Sequence, residues 1–232
     1  MKSGWEVLNE ASLDGGNHPD FLTIKDLKQL VKNGEGQQLE FKMKVKFPEK
    51  IIREMVAFAN SDGGTLLLGV GDLGEIAGLR FPDEDQFVLE RAIEKYCFPA
   101  FSYDSYKIPM DDQRAVVVYK IYPSVDKPHY VQLESDEHPR CFVRMADKSI
   151  QASKEMKQIL RRTDEEGVQF TYGDTEKWLI QYLQGNGKIT LAEFSALAKI
   201  PIWLASRKLV LLVLCNVLRI EPNENQDFYR LK

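Results

Sequence analysis

The first two thirds of the chain alternate between apolar runs at helical spacing and short apolar runs typical of strands. In the clearest helix, Pro48 fits the first turn and apolar residues recur on one face as far as Ala59. Predicted helices cover 23–31, 48–59, 84–96 and 153–161, and predicted strands cover 38–45, 65–70, 75–79, 101–108, 114–122 and 141–144. Hairpins mixed with helices, without repeated strand–helix–strand units, predict an α+β fold.

The C-terminal part of the chain has a different pattern. A helix is predicted over 175–183, and Thr190 and Glu193 match a capping box that opens a second helix. A third helix is predicted over 201–216, and a strand–turn–strand tail over 217–231. Three helices followed by a hairpin is the order of a winged helix.

Polar, glycine-containing stretches mark the boundaries between these parts. The sequence predicts a flexible N-terminal arm, a mixed α/β domain, a linker and a winged-helix-like module. Their ranges are 1–19, 20–162, 163–173 and 174–232.

Residues 69–74 satisfy G-x-G-x-x-G, the fingerprint of dinucleotide-binding proteins. That fingerprint requires a strand before the glycines and a helix directly after them, so that helical N–H groups meet the pyrophosphate. A strand precedes these glycines, but Gly78 and Pro82 interrupt any helix after them. The pattern instead predicts a glycine-containing β-hairpin with Asp72 in its turn.

The composition indicates a globular protein in a reducing compartment. Of the 232 residues, 44% are hydrophobic and 28% are charged, with a net charge of −4. Three cysteines far apart in sequence form neither a disulfide framework nor a metal knuckle, so a cytoplasmic location is expected. The longest apolar run, 209–215, is too short to span a bilayer.

Three acidic residues are candidates for a divalent-metal site. Gly34 and Gly36 allow the chain to turn around Glu35 and bring it beside Glu40, and Asp72 follows a strand. Hard oxygen ligands of this kind suit Mg²⁺ or Mn²⁺, which would activate water for attack on a phosphodiester. Lys42 shares a strand face with Glu40. The alternative interpretation is a set of ordinary surface charges.

A longer pattern around these residues resembles the AlbA-type domain of the Schlafen family. The resemblance covers roughly residues 20–162 and includes the sequence AFAN followed by two glycines. The matching positions are Glu35, Glu40-Phe41-Lys42, Ala57-Phe58-Ala59-Asn60, Gly63-Gly64, Gly69-Val70, Asp72, Gly78, Phe142-Val143-Arg144 and Ala152-Ser153.

The resemblance implies two functions. In vertebrate Schlafen nucleases a matching Glu, Glu and Asp set cleaves structured RNA with a divalent metal, which implies Glu35, Glu40 and Asp72 as ligands and catalytic residues, with Lys42 near the scissile phosphate. Many bacterial relatives join the domain to winged helices and are described as DNA-binding regulators. The nuclease core of the family has two such lobes, whereas the resemblance predicts one lobe in this chain.

Local basic clusters predict a phosphate-binding surface despite the acidic total. One cluster lies in 42–53 and a second in 144–162, and two basic residues lie on the third C-terminal helix. The residues expected to bind nucleic acid are Lys42, Lys44, Lys46, Lys50, Arg53, Arg144, Lys148, Arg207 and Lys208. The alternative interpretation is solvated helix and strand faces.

The third C-terminal helix predicts a homodimer. Residues 209–214 are apolar at six consecutive positions, so they point in every direction around the helix axis. A small module buries one side only, and the remaining face is either an interface between two copies or a contact with the N-terminal domain. A second copy would also supply the missing lobe.

The sequence therefore predicts a cytoplasmic, DNA- or RNA-binding regulator of transcription, without a membrane partner. The first alternative is an RNA endonuclease that depends on Mg²⁺ or Mn²⁺. The second is a module for protein interaction or oligomerisation.

Overall fold

The computed structural model describes residues 22–111 and 113–232, and the predicted N-terminal arm over 1–19 lies outside them. The architecture is a mixed α+β fold, as predicted. The described helices are α1 Ile24–Val31, α2 Pro48–Asn60, α3 Pro82–Tyr96, α4 Lys154–Arg162, α5 Asp174–Asn186, α6 Leu191–Leu197 and α7 Ile202–Leu214. The strands are β1 Leu39–Lys42, β2 Gly64–Leu68, β3 Cys97–Phe98, β4 Tyr103–Pro109, β5 Ala115–Ile121, β6 Tyr130–Val131, β7 Phe142–Met145, β8 Lys148–Gln151, β9 Ile189–Thr190, β10 Leu218–Glu221 and β11 Phe228–Leu231.

A four-stranded sheet in the order β1-β2-β5-β4 forms the centre of the N-terminal part. β1 and β2 are parallel, with α2 as their crossover, and the other pairs are antiparallel. Phe41 packs with α1 on one face of the sheet, whereas Leu66 and Leu68 pack with α2 and α3 on the other. Because neighbours on a strand point to opposite faces, Glu40 lies on the same face of the sheet as α2.

The AFAN sequence and the two glycines after it are architectural. Asn60 is buried, and its amide nitrogen donates to the carbonyls of His129 (3.0 Å) and Phe142 (2.9 Å). A Cβ on Gly64 would lie 2.3 Å from the Phe58 ring, closer than any real contact. The amide and the glycine thus allow α2 to pack closely on β2 and on the segment that contains β7.

The glycine-rich stretch after β2 forms turns and no helix, as predicted. Gly69 and Gly74 have φ angles of 95° and 84°, which other residues rarely adopt. The N–H of Gly71 donates to the carbonyl of Glu75 at 2.9 Å. The predicted strand over 75–79 is wrong, because Ile76 and Leu79 form isolated bridges to Val70 and Ala115 instead of a ladder. Turns at both ends leave too few residues to pair continuously.

The C-terminal part contains α5, α6 and α7 with a three-stranded sheet in the order β10-β11-β9. Leu179, Phe194 and Leu209 lie in one apolar core of this part. The predicted capping box is confirmed: the Thr190 side chain accepts from the N–H of Glu193, and the Glu193 carboxylate accepts from the N–H of Thr190. These paired bonds satisfy N–H groups that a helix start leaves free.

The face of α7 that points away from this core is covered within the chain. α7 packs against α4, and the hydroxyl of Ser206 donates to Glu155 at 2.6 Å across this contact. Val210, one turn after Ser206, is 1% exposed. The expectation that this apolar face joins two copies is therefore corrected, since α4 of the same chain occupies it.

Candidate nucleic-acid interface

A buried charge cluster joins β1, α2 and β7. The side chain of Arg144 on β7 is fully buried, and its guanidinium donates to the carboxylates of Glu40 (2.9 Å) and Glu54 (2.8 Å). It also donates to the carbonyl of Gly36 at 2.6 Å and lies 4.6 Å from the centroid of the Phe58 ring. A guanidinium held by two carboxylates, a carbonyl and a ring is a structural crosslink.

The same cluster continues to the surface through Lys42 and Glu35. The ammonium of Lys42 pairs with Glu40 and donates to the carbonyl of Phe41 at 2.9 Å. Glu35 accepts from the N–H of Phe41 at 2.9 Å. Partial burial raises the pKa of Glu35 and the negative charge of Glu40 adds to this, whereas the Phe41 N–H acts in the opposite direction.

Glu54 completes the cluster from the α2 side. Burial raises the pKa of its carboxyl group, opposed by a hydrogen bond from Ser149 and by the charge of Arg144. The Glu54 carboxylate also lies close enough to Glu40 for their charges to repel, so Arg144 has to neutralise both. The cluster is thus held together by one cation between two carboxylates.

The three carboxylates predicted to bind a metal are not assembled into a metal site. Glu35 and Glu40 are neighbours, but Glu40 already pairs with Lys42 and Arg144. Asp72 is exposed in the turn after β2 and lines a pocket that also contains Gly34. Among residues 22–111 and 113–232, no three His, Cys, Asp or Glu side chains are grouped so as to hold a metal ion. The residues as placed therefore do not fit Mg²⁺ or Mn²⁺.

Three predicted basic residues are exposed on the segment that leads from β1 into the first turn of α2. Lys44 and Lys46 lie between β1 and α2, and Lys50 lies in the first turn of α2. We call residues 43–50 the basic loop. The amines of Lys46 and Lys50 lie 5.2 and 5.1 Å from the centroid of the Phe47 ring. At an exposed site such a cation–π contact contributes about 0.5–1 kcal/mol, so both amines remain available to other partners.

The other predicted basic residues are engaged to different degrees. Arg144 is buried, so its prediction as a phosphate ligand is corrected. Lys208 pairs with Glu176, and Lys148 pairs with Glu224 at 3.5 Å. Arg53 lies half-buried over the ring of Phe142, at 5.8 Å from its centroid. Arg207 is exposed on α7. The two basic clusters, 42–53 and 144–162, lie next to each other because α2 packs on β7. At this contact Arg144 is buried in its ion pair with Glu54, so the contact is a charge cluster and not a basic surface.

A family model described as Schlafen, AlbA_2 matches residues 35–153, half of the chain. The chain belongs to the Schlafen AlbA_2 family. The family match begins at Glu35, and it includes the whole buried charge cluster and the basic loop. The resemblance noted from the sequence is thus confirmed for this part of the chain, and the family suggests an interaction with nucleic acid.

Two solved structures are similar to this AlbA_2 protein. One is the N-terminal domain of the "Putative ATP-dependent DNA Helicase RecG-related Protein" from Nitrosomonas europaea, with 19% identity over 51% of this chain and 86% of that chain, and a TM-score of 0.38. The other is the DIP2311 protein from Corynebacterium diphtheriae, with 17% identity over 75% of this chain and 32% of that chain, and a TM-score of 0.41. No curated protein matches the chain.

Sequence reasoning missed Glu54 and Ser149 in the AlbA_2 domain. A signal for Glu54 is present: it lies three residues after Ile51 and four before Phe58, on the side of α2 that is buried. A carboxylate on that side requires a buried cation as its partner. Ser149 has no comparable signal, because the pairing of β7 with β8 alone brings it opposite Arg144.

Proposed function

We propose that this AlbA_2 protein binds nucleic acid through the basic loop and acts as a regulator of transcription. The observation that carries the proposal is the exposure of Lys44, Lys46 and Lys50 together in the basic loop of a domain whose family suggests such binding. Phosphate contacts of this kind supply affinity through the release of counterions and are independent of base sequence.

The C-terminal part supports a second contact with nucleic acid. Its order, α5-β9-α6-α7-β10-β11, and its three-stranded sheet are those expected of a winged helix. Arg207 is exposed on α7, the helix that would read bases, whereas Lys208 is held by Glu176. This helix has few exposed polar groups along its length, so we assign it an accessory role and assign the main affinity to the basic loop.

Fluorescence anisotropy with labelled DNA duplex, single strands and structured RNA at low salt tests the proposal. Replacing Lys44, Lys46 and Lys50 by Glu should weaken binding on the order of tenfold or more, because three attractive phosphate contacts become repulsive. A matched control replaces three exposed lysines by Glu: Lys25 and Lys28 of α1 and Lys32 directly after it. Loss of binding in the control variant but not in the loop variant would show that the interface lies elsewhere. No binding by the wild type would refute the proposed function.

A ribonuclease is the second candidate function. The proximity of Glu35 and Glu40, with Lys42 beside them, favours it. A metal site would require a rearrangement in which Asp72 joins this pair and Glu40 releases its cations, since the described residues as placed form no such group. Incubation with transfer RNA and Mn²⁺ or Mg²⁺, next to an Asp72→Ala control, tests it. Cleavage that requires Asp72 would support the nuclease, and cleavage that persists in the variant would refute this set of residues.

A homodimer is a further proposal that one apolar patch supports. Leu197, Ile202 and Trp203 are exposed by 49%, 52% and 64% where α6 meets α7. Exposed apolar groups of this size mark contacts between proteins more often than scattered surface residues do. Light scattering should then give twice the monomer mass of 26.7 kDa, and Trp203→Ser should restore the monomer mass. The monomer mass in the wild type at all concentrations would refute the homodimer.

A further inference from the structure

Phe47 is an exposed aromatic ring at the centre of the basic loop. Nearly half of its surface, 47%, is accessible to solvent. The amines of Lys46 and Lys50 lie 5.2 and 5.1 Å from the centroid of the Phe47 ring. A ligand that contacts the ring can therefore also contact either amine. A ring next to two cations offers one apolar face and two phosphate ligands in a single place.

The loop is anchored on both sides of this ring. Two residues before Phe47, the side chain of Val45 is buried in the core and its backbone N–H lies next to the carboxylate of Asp85 on α3. Pro48 begins α2 directly after the ring, and Ile51 is buried one turn later. The ring is therefore presented from a fixed segment, which reduces the conformational entropy lost when it binds a partner.

The chemistry of this arrangement fits an unpaired nucleotide. Stacking on aromatic rings requires an accessible base face, and in a duplex both faces of each base are covered by its neighbours. A nucleotide also carries a phosphate on each side of its base, where two lysines next to the ring can contact it. A cation–π contact at an exposed site is weaker than base stacking, so a base can displace either amine from the ring.

We infer that the basic loop selects single-stranded nucleic acid, with Phe47 stacked on one base and Lys46 and Lys50 on the phosphates next to it. This inference rests on the proposed function and names its substrate class. DNA and RNA single strands offer the same base faces and phosphates, so the shared ligand is an unpaired nucleotide. Asp85 of α3, whose carboxylate lies near Lys44 and Val45, disfavours a longer phosphate track on that side.

Three probes of equal length test the inference: labelled oligothymidylate, labelled oligouridylate and a blunt DNA duplex. Phe47→Ala should weaken binding of the single strands by about 5- to 150-fold, because that is the range for one stacked base. The duplex should bind the variant and the wild type equally. The control is Phe87→Ala on α3, which removes another exposed ring (65%) and should change neither affinity.

A second variant distinguishes loss of the aromatic face from a loss of folding. Phe47→Trp keeps an aromatic face, so it should retain single-strand binding, and its indole fluorescence should be quenched when a base stacks on it. The fluorescence of the three natural tryptophans, measured in the wild type, is subtracted. The oligouridylate and oligothymidylate arms then show whether RNA, DNA or both supply the unpaired nucleotide.

The outcomes separate the inference from the proposed function. Equal affinity of Phe47→Ala and wild type for single strands would overturn the inference while leaving phosphate binding by the loop intact. Equal loss on duplex and single strands would also overturn it, because a stacked base would then not be the ligand. No binding of any probe by the wild type would instead refute the proposed function.

Discussion

At the scale of single residues, Arg144 is a buried cation that links three elements of the AlbA_2 domain. It is fully buried between Glu40 and Glu54, at 2.9 and 2.8 Å. We expect Arg144→Ala to lower the free energy of unfolding by about 3–5 kcal/mol, because it leaves the Glu54 carboxylate without its cation and Glu40 with Lys42 alone. Urea denaturation followed by circular dichroism measures this loss.

The control for this prediction is Lys148→Ala on the neighbouring strand. Lys148 is exposed and lies 3.5 Å from Glu224, so removal of this surface pair should cost about 0–1 kcal/mol. Arg144→Lys should fall between the two variants, since an ammonium cannot reproduce the forked contacts of a guanidinium. A loss below about 1 kcal/mol in Arg144→Ala would contradict the structural role.

Glu35 makes part of the stability depend on pH. Partial burial raises its pKa in the folded state, so the folded protein holds the proton to a higher pH than the unfolded chain. Its contribution is fully present below the ordinary value of 4.5 and is lost as the pH rises through the raised pKa. Glu35→Gln keeps an acceptor for the Phe41 N–H and removes the charge.

We therefore expect the stability of Glu35→Gln relative to the wild type to increase from pH 4 to pH 7. Urea denaturation of both proteins at several pH values between 4 and 7 measures this difference. Because both proteins contain the other carboxylates, the contributions of those groups cancel in the difference. A difference that stays constant with pH would show that Glu35 has the same pKa in the folded and unfolded states.

The sequence identified Arg144 as a cation of interest but assigned it to the wrong partner. The charge of Arg144 predicts contact with an anion, and that anion can be either a phosphate of a ligand or a buried carboxylate of the protein. The choice depends on long-range pairing: β7 packs on α2, which brings Arg144 to Glu54, 90 residues earlier in the chain. The neighbouring positions of Glu35 and Glu40 could be predicted, because the glycines around Glu35 act locally.

At the scale of elements, the start of α6 depends on the hydroxyl of Thr190. This side chain accepts from the N–H of Glu193 and donates to its carboxylate at 3.0 Å. We expect Thr190→Ala to be less stable than Thr190→Ser by about 1 kcal/mol. Both replacements lose the methyl group, so the difference in urea denaturation isolates the hydroxyl. Equal stability of the two variants would show that the cap contributes nothing.

The elements that could be predicted are those with a strong local signal. α2 carries a long apolar face, Pro48 at its start and glycines after its end, and the structure gives it within one residue of the predicted bounds. β3, β6 and β9 were missed, because each has only two residues and pairs with a strand distant in sequence. β8 was also missed, although its partner β7 directly precedes it. Cys97, for example, pairs with Val131, and no local pattern fixes that register.

At the scale of the whole molecule, charge is distributed unevenly over an acidic chain. The net charge is −4, so the molecule as a whole repels a polyanion, and the basic loop has to bind against this field. α3, which packs beside α2, begins with Asp83, Glu84 and Asp85. Nucleic acid is therefore expected to contact a small area around the loop and not to wrap the domain. No described helix is long and apolar enough to cross a membrane.

The salt dependence of binding tests this small footprint. With Lys44, Lys46 and Lys50 on phosphates, the plot of log Kobs against log salt should have a slope of about −2 to −3, since each contact contributes about 0.7 for single strands and about 0.9 for duplex. Removing one lysine should reduce the slope by about 0.7–0.9. Anisotropy titrations at several salt concentrations measure it. A slope steeper than about −5 would show that many more cations take part, and a slope near zero would show that phosphates are not contacted.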